Sequence, residues 1–190
     1  GVDWKIVTYR GAIPISQESI DDADVDLLAL VGESVGEIKV NTTNYAIAEV
    51  YKTFPAKTVA NLDELKKILN VDLDPAYAVG FDATQSFYNI LDTLKDGNGR
   101  YLLQDSIVSP SGKVALGKNI DVVSDDLLGS PSDAKAFVGD SNRGVLFVDR
   151  LEIGLRWADN EIYGQYLQVV MRFDVKKADE KAGFFVTFTP

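Results

Sequence analysis

Gly112-Lys113-Val114-Ala115-Leu116-Gly117-Lys118 has the spacing of a phosphate-binding loop, in which backbone N–H groups and a lysine cradle a nucleotide's phosphates. The next residue is Asn119, where a magnesium-bound nucleotide needs a Ser or Thr hydroxyl. The stretch Asn119-Ile120-Asp121-Val122-Val123 reads as a strand, whereas a phosphate loop opens a helix. A β-turn flanked by lysines fits these residues better. Asp96-Gly97-Asn98-Gly99 has the acid, amide and glycine of a calcium loop, but not the alternating acids or the closing glutamate. It reads as a helix-ending turn that requires positive φ. Asp21, Asp22, Asp24 and Asp26 carry oxygens a hard cation would accept, yet a helix start favours the same carboxylates through its dipole. Lys176, Lys177 and Lys181 lack interleaved aromatic residues and read as a solvated turn rather than a nucleic-acid patch.

The chain has neither histidine nor cysteine. That removes imidazole bases, thiol nucleophiles, disulfides and the usual zinc ligands, and it excludes a Ser-His-Asp triad within the chain. Paired carboxylates for glycoside hydrolysis are defined by their separation in space, which no sequence spacing reveals. No catalytic, cofactor-binding or metal-ligating residue is therefore assigned, and no cofactor is expected.

At 190 residues and 46% hydrophobic, the chain can bury a core in one or two domains. The net charge is −10, which repels phosphate backbones and argues against sequence-specific binding of nucleic acid. No apolar run is long enough to cross a bilayer, so no membrane partner is expected. The chain opens on Gly1, partway along an element, and reads as a piece of a longer product.

The elements follow from periodicity. Asp22 to Phe54 reads as one long helix, with Leu28, Val31, Val35, Ile38, Thr42 and Tyr45 on one side and Pro55 as its stop. Its length would be roughly 50 Å. Gly32 and Gly36, each costing about 1 kcal/mol relative to Ala, imply a close backbone neighbour, a bend or a hinge. Ahead of this spine, Trp4 to Ile15 alternates as a strand, with Pro14 marking an edge or an end. After it, Asn61 caps a short helix with Glu64 in a capping box, and Ala76 to Phe81 reads as a buried strand. Asp82 is expected to cap a third helix with Gln85, its inner face formed by Phe87, Ile90, Leu91 and Leu94. Short strands are expected at Tyr101 to Leu103, Asn119 to Val123, Lys135 to Val138 and Val145 to Val148. Leu167, Val169, Met171, Phe173 and Val175 alternate with more polar residues in the clearest strand of the chain, and Phe184, Val186 and Phe188 make the last one.

Taken in order, these features resemble the C-terminal two thirds of the tailed-bacteriophage major capsid proteins. Ala12-Ile13-Pro14-Ile15-Ser16 is similar to that family's strand end before its long helix. Asp24-Val25-Asp26-Leu27-Leu28 is similar to the helix opening. Asn61-Leu62-Asp63-Glu64-Leu65, followed by Ala76-Tyr77-Ala78-Val79-Gly80-Phe81, resembles the next helix and strand. Leu94-Lys95-Asp96-Gly97-Asn98-Gly99-Arg100-Tyr101-Leu102 is the most specific match, and Val169 to Asp174 resembles a late peripheral strand. Lys118-Asn119-Ile120 departs from the family, which carries a Pro before a Val there. The family's N-terminal arm and most of its extended loop would precede Gly1.

The resemblance implies an α+β, phage major-capsid-like fold: a long spine helix, a peripheral antiparallel sheet and an axial α/β domain. Residues 1–58 with 149–176 would be peripheral, and 59–148 with 177–190 axial. It implies a non-enzymatic shell protein of the virion, assembled in the bacterial host cytoplasm. Its partners would be copies of itself in pentamers and hexamers, with scaffold and portal proteins beside them. Loops at Asp96 to Gly99 and Ser130 to Ser132 would supply axial contacts. Two alternatives stand beside this reading. One is an encapsulin-like nanocompartment shell. The other, of a different class, is an acidic α+β hydrolase using carboxylates. The hydrolase predicts a concave pocket of convergent acids with a shifted pKa, and the shell predicts flat edges and exposed loops without such a pocket.

Overall fold

A computed structural model describes residues 3–15, 27–95, 98–99, 113–160 and 164–190. The chain divides by contacts into two units, Gly1–Ala46 with Phe147–Lys176 and Ile47–Leu146 with Lys177–Pro190.

The first unit is built on a three-stranded sheet in the order β1-β8-β7: β1 Val7–Pro14, β7 Val145–Asn160 and β8 Gly164–Lys177. β1 is an outer strand, as Pro14 at its end requires, and runs antiparallel to β8 from Val7↔Phe173 to Pro14↔Tyr166. The alternation of β8 is real: Leu167, Val169, Met171, Phe173 and Val175 are all buried. Tyr9 stacks on Phe173 with ring centroids 4.6 Å apart. Buried Asp174 is compensated by the Lys5 backbone N–H, which donates to it at 2.9 Å. The sequence pattern at Val145 to Val148 marks only the start of β7, which runs for sixteen residues. Mixed charges such as Asp149, Arg150 and Arg156 obscure its alternation.

The long helix α1 is unbroken over Leu27–Tyr51. Its twenty-five described residues span about 38 Å of the expected 50 Å. Asp21 to Asp26 lie outside the described residues. At the other end Lys52–Phe54 form a turn, because the Thr53 hydroxyl donates back to the Val50 carbonyl at 2.7 Å and the Phe54 ring is buried. Val35 is buried and Val31, Ile38 and Thr42 are half-buried, but Tyr45 is 56% exposed. At 3.6 residues per turn Tyr45 lies about 80° around the helix from Val35, at the rim of the stripe. Among the described residues, a Cβ at Gly32 or Gly36 would meet no atom within 4 Å, so neither glycine serves a close approach to them.

The second unit is a six-stranded mixed sheet in the order β2-β9-β6-β3-β5-β4. Its strands are β2 Ala56–Val59, β3 Gly80–Thr84, β4 Lys113–Ala115, β5 Lys118–Val123, β6 Lys135–Gly139 and β9 Gly183–Phe188. β2 pairs parallel with β9 and β3 parallel with β5; the remaining pairs are antiparallel. Helices α2 Leu62–Lys67 and α3 Gln85–Thr93 bury Leu65, Phe87 and Leu91 in a core with Phe81, Ile120, Val138, Val186 and Phe188. Asn61 caps α2 by accepting from the Glu64 N–H at 2.9 Å, while the Glu64 carboxylate accepts from the Ala60 N–H at 2.8 Å. This is the expected reciprocal pair, displaced by one residue on the return leg.

Two expectations fail here for one reason. The strand lies at Gly80–Thr84 rather than Ala76 to Phe81, and Thr84 rather than Asp82 caps α3, accepting from the Phe87 N–H at 3.2 Å. β3 is a central strand, with Phe81 and Ala83 facing the core and Asp82 projecting to the other side. Fully buried Thr84 is satisfied because it also donates to the Asp133 carbonyl and accepts from the Lys135 N–H. The expected strand at Tyr101 to Leu103 lies outside the described residues.

β6 and β9 pack with no room to spare. Gly139 faces Gly183 in register, and a Cβ on Gly139 would lie 2.2 Å from the Ala182 carbonyl oxygen. Gly139→Ala should therefore destabilise the subunit by about 1–3 kcal/mol through overpacking. In the dissociated subunit, Gly32→Ala and Gly36→Ala should each stabilise by up to about 1 kcal/mol. Phe137→Ala, which empties a fully buried ring site, should cost about 3–5 kcal/mol. Urea denaturation of the four variants checks all three signs.

Candidate functional site: a polar cleft, a pinned loop and an open strand

The second unit carries a cleft of about 370 Å³ lined by Tyr77, Asp82, Lys118, Asn119, Asp121 and Ser141, among others. Strand register creates it. Asp82 on β3 and Asp121 on β5 are direct partners, so both carboxylates leave the same face of the sheet side by side. The Tyr51 hydroxyl, at the last residue of α1, donates to Asp82 at 2.5 Å. Burial pushes the Asp82 carboxyl above its ordinary range; the Tyr51 bond opposes this and the Asp121 charge adds to it. Burial, with the Asp82 charge next, raises the Tyr51 phenol as well. Convergent acids with a shifted pKa were expected only of a hydrolase, so that feature does not separate the two classes. Among the described residues, no group of three or more acids is placed to hold a metal ion.

The other chemical candidates dissolve into local structure. The phosphate-loop spacing falls on a tight hairpin: Lys113–Ala115 pairs with Lys118–Ile120, and Leu116 and Gly117 both take positive φ, at 52° and 74°. No helix follows. Gly99 has φ of 78°, as its turn sequence requires, while Asp96 and Gly97 lie outside the described residues. Lys177 donates to the Thr53 carbonyl at 3.0 Å and to Glu180 at 3.1 Å, so it serves the turn it sits in.

The loop at Ser130 to Ser132 is exposed at its tip and pinned at its base. Asp125, at the start of the one-turn helix α4 Asp125–Leu128, accepts from the Ser86 N–H at 3.0 Å, the Ser86 hydroxyl at 2.6 Å and the Ser132 N–H at 3.1 Å. Asp133 accepts from the Ser130 N–H at 3.0 Å and pairs with Lys135 at 3.3 Å. These bonds hold both carboxyls below their ordinary range, Ser86 dominating at Asp125 and the Ser130 N–H at Asp133.

β7 is the outer strand of its sheet, and among the described residues no strand pairs with its free side. Leu155 and Trp157 share one face by alternation and are 53% and 44% exposed. Sequence patterning missed this strip because the strand was taken to end at Val148. No helix among the described residues is long and apolar enough to cross a membrane.

A sequence model of the phage capsid family matches residues 2–188. This chain belongs to the phage capsid family. It is a capsid protein of the α+β fold expected from the resemblance, and its family is a structural one. Solved capsids share that fold. The capsid of a native GTA particle, computed with C5 symmetry, aligns with a TM-score of 0.77 at 14% identity, covering 97% of this chain and 73% of that one. Gordonia phage Cozz aligns with a TM-score of 0.69 at 17% identity, covering 98% and 71%. The holo-SrpI encapsulin complex from Synechococcus elongatus aligns with a TM-score of 0.64 at 12% identity, covering 96% and 73%. No curated protein matches the chain.

In a capsid subunit, an exposed loop anchored by two aspartates can present a fixed contact shape. Asp125→Ala should loosen it and lower the urea midpoint at neutral pH. The folded carboxyl is lowered, so its stabilisation is present above the ordinary value of about 3.9 and lost as pH falls through the folded value. The gap between variant and wild type should therefore close in strong acid, as paired urea titrations would show.

Proposed function

We propose that this chain is the major capsid protein of a tailed phage or prophage, whose copies form pentamers and hexamers of an icosahedral shell enclosing DNA. The match of the phage capsid family across residues 2–188 carries this reading. Residues 1–58 with 149–176 form the peripheral domain and 59–148 with 177–190 the axial one; the division of the chain into two units supports a two-part subunit. The subunit works without catalysis. Its energy of assembly comes from many repeated contacts between copies, limited by closed symmetry. Loops at Asp96 to Gly99 and Ser130 to Ser132 contribute axial contacts. Assembly takes place in the host cytoplasm with scaffold and portal proteins, and the product resides in the virion. A net charge of −10 suits a wall that must not adhere to the packaged phosphate backbone.

Electron microscopy of the gene's full product should show capsomers or shells. A product that stays monomeric at every concentration and ionic strength overturns the proposal, and shells that enclose protein instead of DNA favour the encapsulin alternative. Leu155→Lys and Trp157→Glu, both at exposed positions, should change subunit stability by about 0.5 kcal/mol or less while weakening association. Sedimentation velocity reads the second effect.

A further inference from the structure

Nine asparagines stand in the chain, and only Asn98 is followed by glycine. The successor matters because an asparagine side chain can react with its own main chain. The backbone nitrogen of the next residue attacks the side-chain amide carbon. A new C–N bond forms there as the bond to the amide nitrogen breaks, and the displaced proton leaves with ammonia. The product is a succinimide ring. Water then opens the ring at either carbonyl, giving aspartate or isoaspartate. A side chain on the attacking residue crowds this closure, whereas glycine presents only hydrogen and turns freely.

The fold separates the candidates. Asn41 and Asn44 lie within α1, Asn89 within α3 and Asn119 within β5, where ladder hydrogen bonds hold the backbone that ring closure must turn. Their successors Thr42, Tyr45, Ile90 and Ile120 are all β-branched or aromatic. Asn61 is engaged as the cap of α2, and Leu62 follows it. Asn98 differs on each count. It is exposed, and with Gly99 it lies in a turn outside the described helices and strands. Gly99 takes a φ of 78°, and among the described residues a Cβ there would meet no atom within 4 Å. None of those residues crowds the glycine whose nitrogen must attack.

We propose that Asn98 is a self-modifying site, converted in the folded subunit to aspartate and isoaspartate through attack by the Gly99 nitrogen. Water is the only co-reactant and ammonia the only leaving group. Each event replaces a neutral amide by a carboxylate, adding one negative charge to a chain that already carries −10. The isoaspartate form also lengthens the main chain by a carbon just before Gly99, so the turn cannot keep its backbone path. With Asp96 to Gly99 as an axial contact, aged subunits bring extra like charge to the place where copies meet, which opposes their joining. The turn thereby marks a subunit by its age. That consequence rests on the proposed function; the chemical step does not.

Incubation of the gene's full product as dissociated subunits in mildly alkaline buffer, followed by peptide mapping, reads the step. The peptide holding Asn98 should gain the mass difference between a hydroxyl and an amino group. Enzymatic methylation specific for isoaspartate should label the same peptide. Those holding Asn41, Asn44, Asn89 and Asn119 should stay unchanged unless the incubation is done in urea. Asn98→Gln should largely remove the change, because its longer side chain must close a larger ring. An Asn98 that stays intact in the folded subunit, or reacts no faster than the asparagines in α1, α3 and β5, overturns the proposal. By sedimentation velocity, Asn98→Asp should associate less than wild type. Equal association overturns the marking of subunits by age. Failure of wild type itself to assemble counts against the proposed function instead, and leaves the mass readout untouched.

Discussion

Tyr51 lies flat on Phe137 with ring centroids 4.1 Å apart, and that contact fixes where the long helix ends on the six-stranded sheet. Phe54 meets the same ring edge-on at 4.9 Å, so the helix, its terminating turn and the strand that follows are all set from one side chain. Ala48, Leu128 and Phe185 complete the cluster. The hydroxyl of Tyr51 needs a partner once its ring is buried, and Asp82 is the group the register delivers. The polar cleft is thus a by-product of placing an aromatic helix end on a central strand. In a capsid protein it needs no substrate to account for it.

The first unit is organised by different physics. One strand, β8, buries every second side chain, and its neighbours on both sides add rings against Phe173, Tyr9 stacked and Phe147 tilted. Farther along β7, Leu155 and Trp157 remain exposed. An apolar strip on an unpaired strand is a hazard for a protein that functions alone. In a capsid family, whose members assemble, such exposure on the single subunit is less of a hazard.

Much of this could be read from residue order because the local signals were strong. β8 has strict alternation, Asn61 and Glu64 form a cap that acts within one turn, and Gly117 sits where only a turn tolerates its φ. Asp82 misled because an acid before a helical pattern has two meanings, a cap or an outward residue of a strand. Only the pairing of β3 with both β5 and β6 decides between them. β2, at four residues, is held by β9 from more than a hundred positions away, which no local pattern encodes. The cleft was illegible for the same reason: Asp82 and Asp121 are neighbours through register, not through spacing.

β9 follows every other described strand of its sheet in sequence, yet it lies inside that sheet between β2 and β6 rather than at a margin. A nascent chain emerging from the ribosome therefore holds an incomplete sheet, with β2 and β6 unjoined, until Gly183 to Phe188 has been released. Synthesis itself becomes a timer. The larger unit closes only after translation has passed its final strand, so half-made subunits lack the finished surface that would let them join a growing particle.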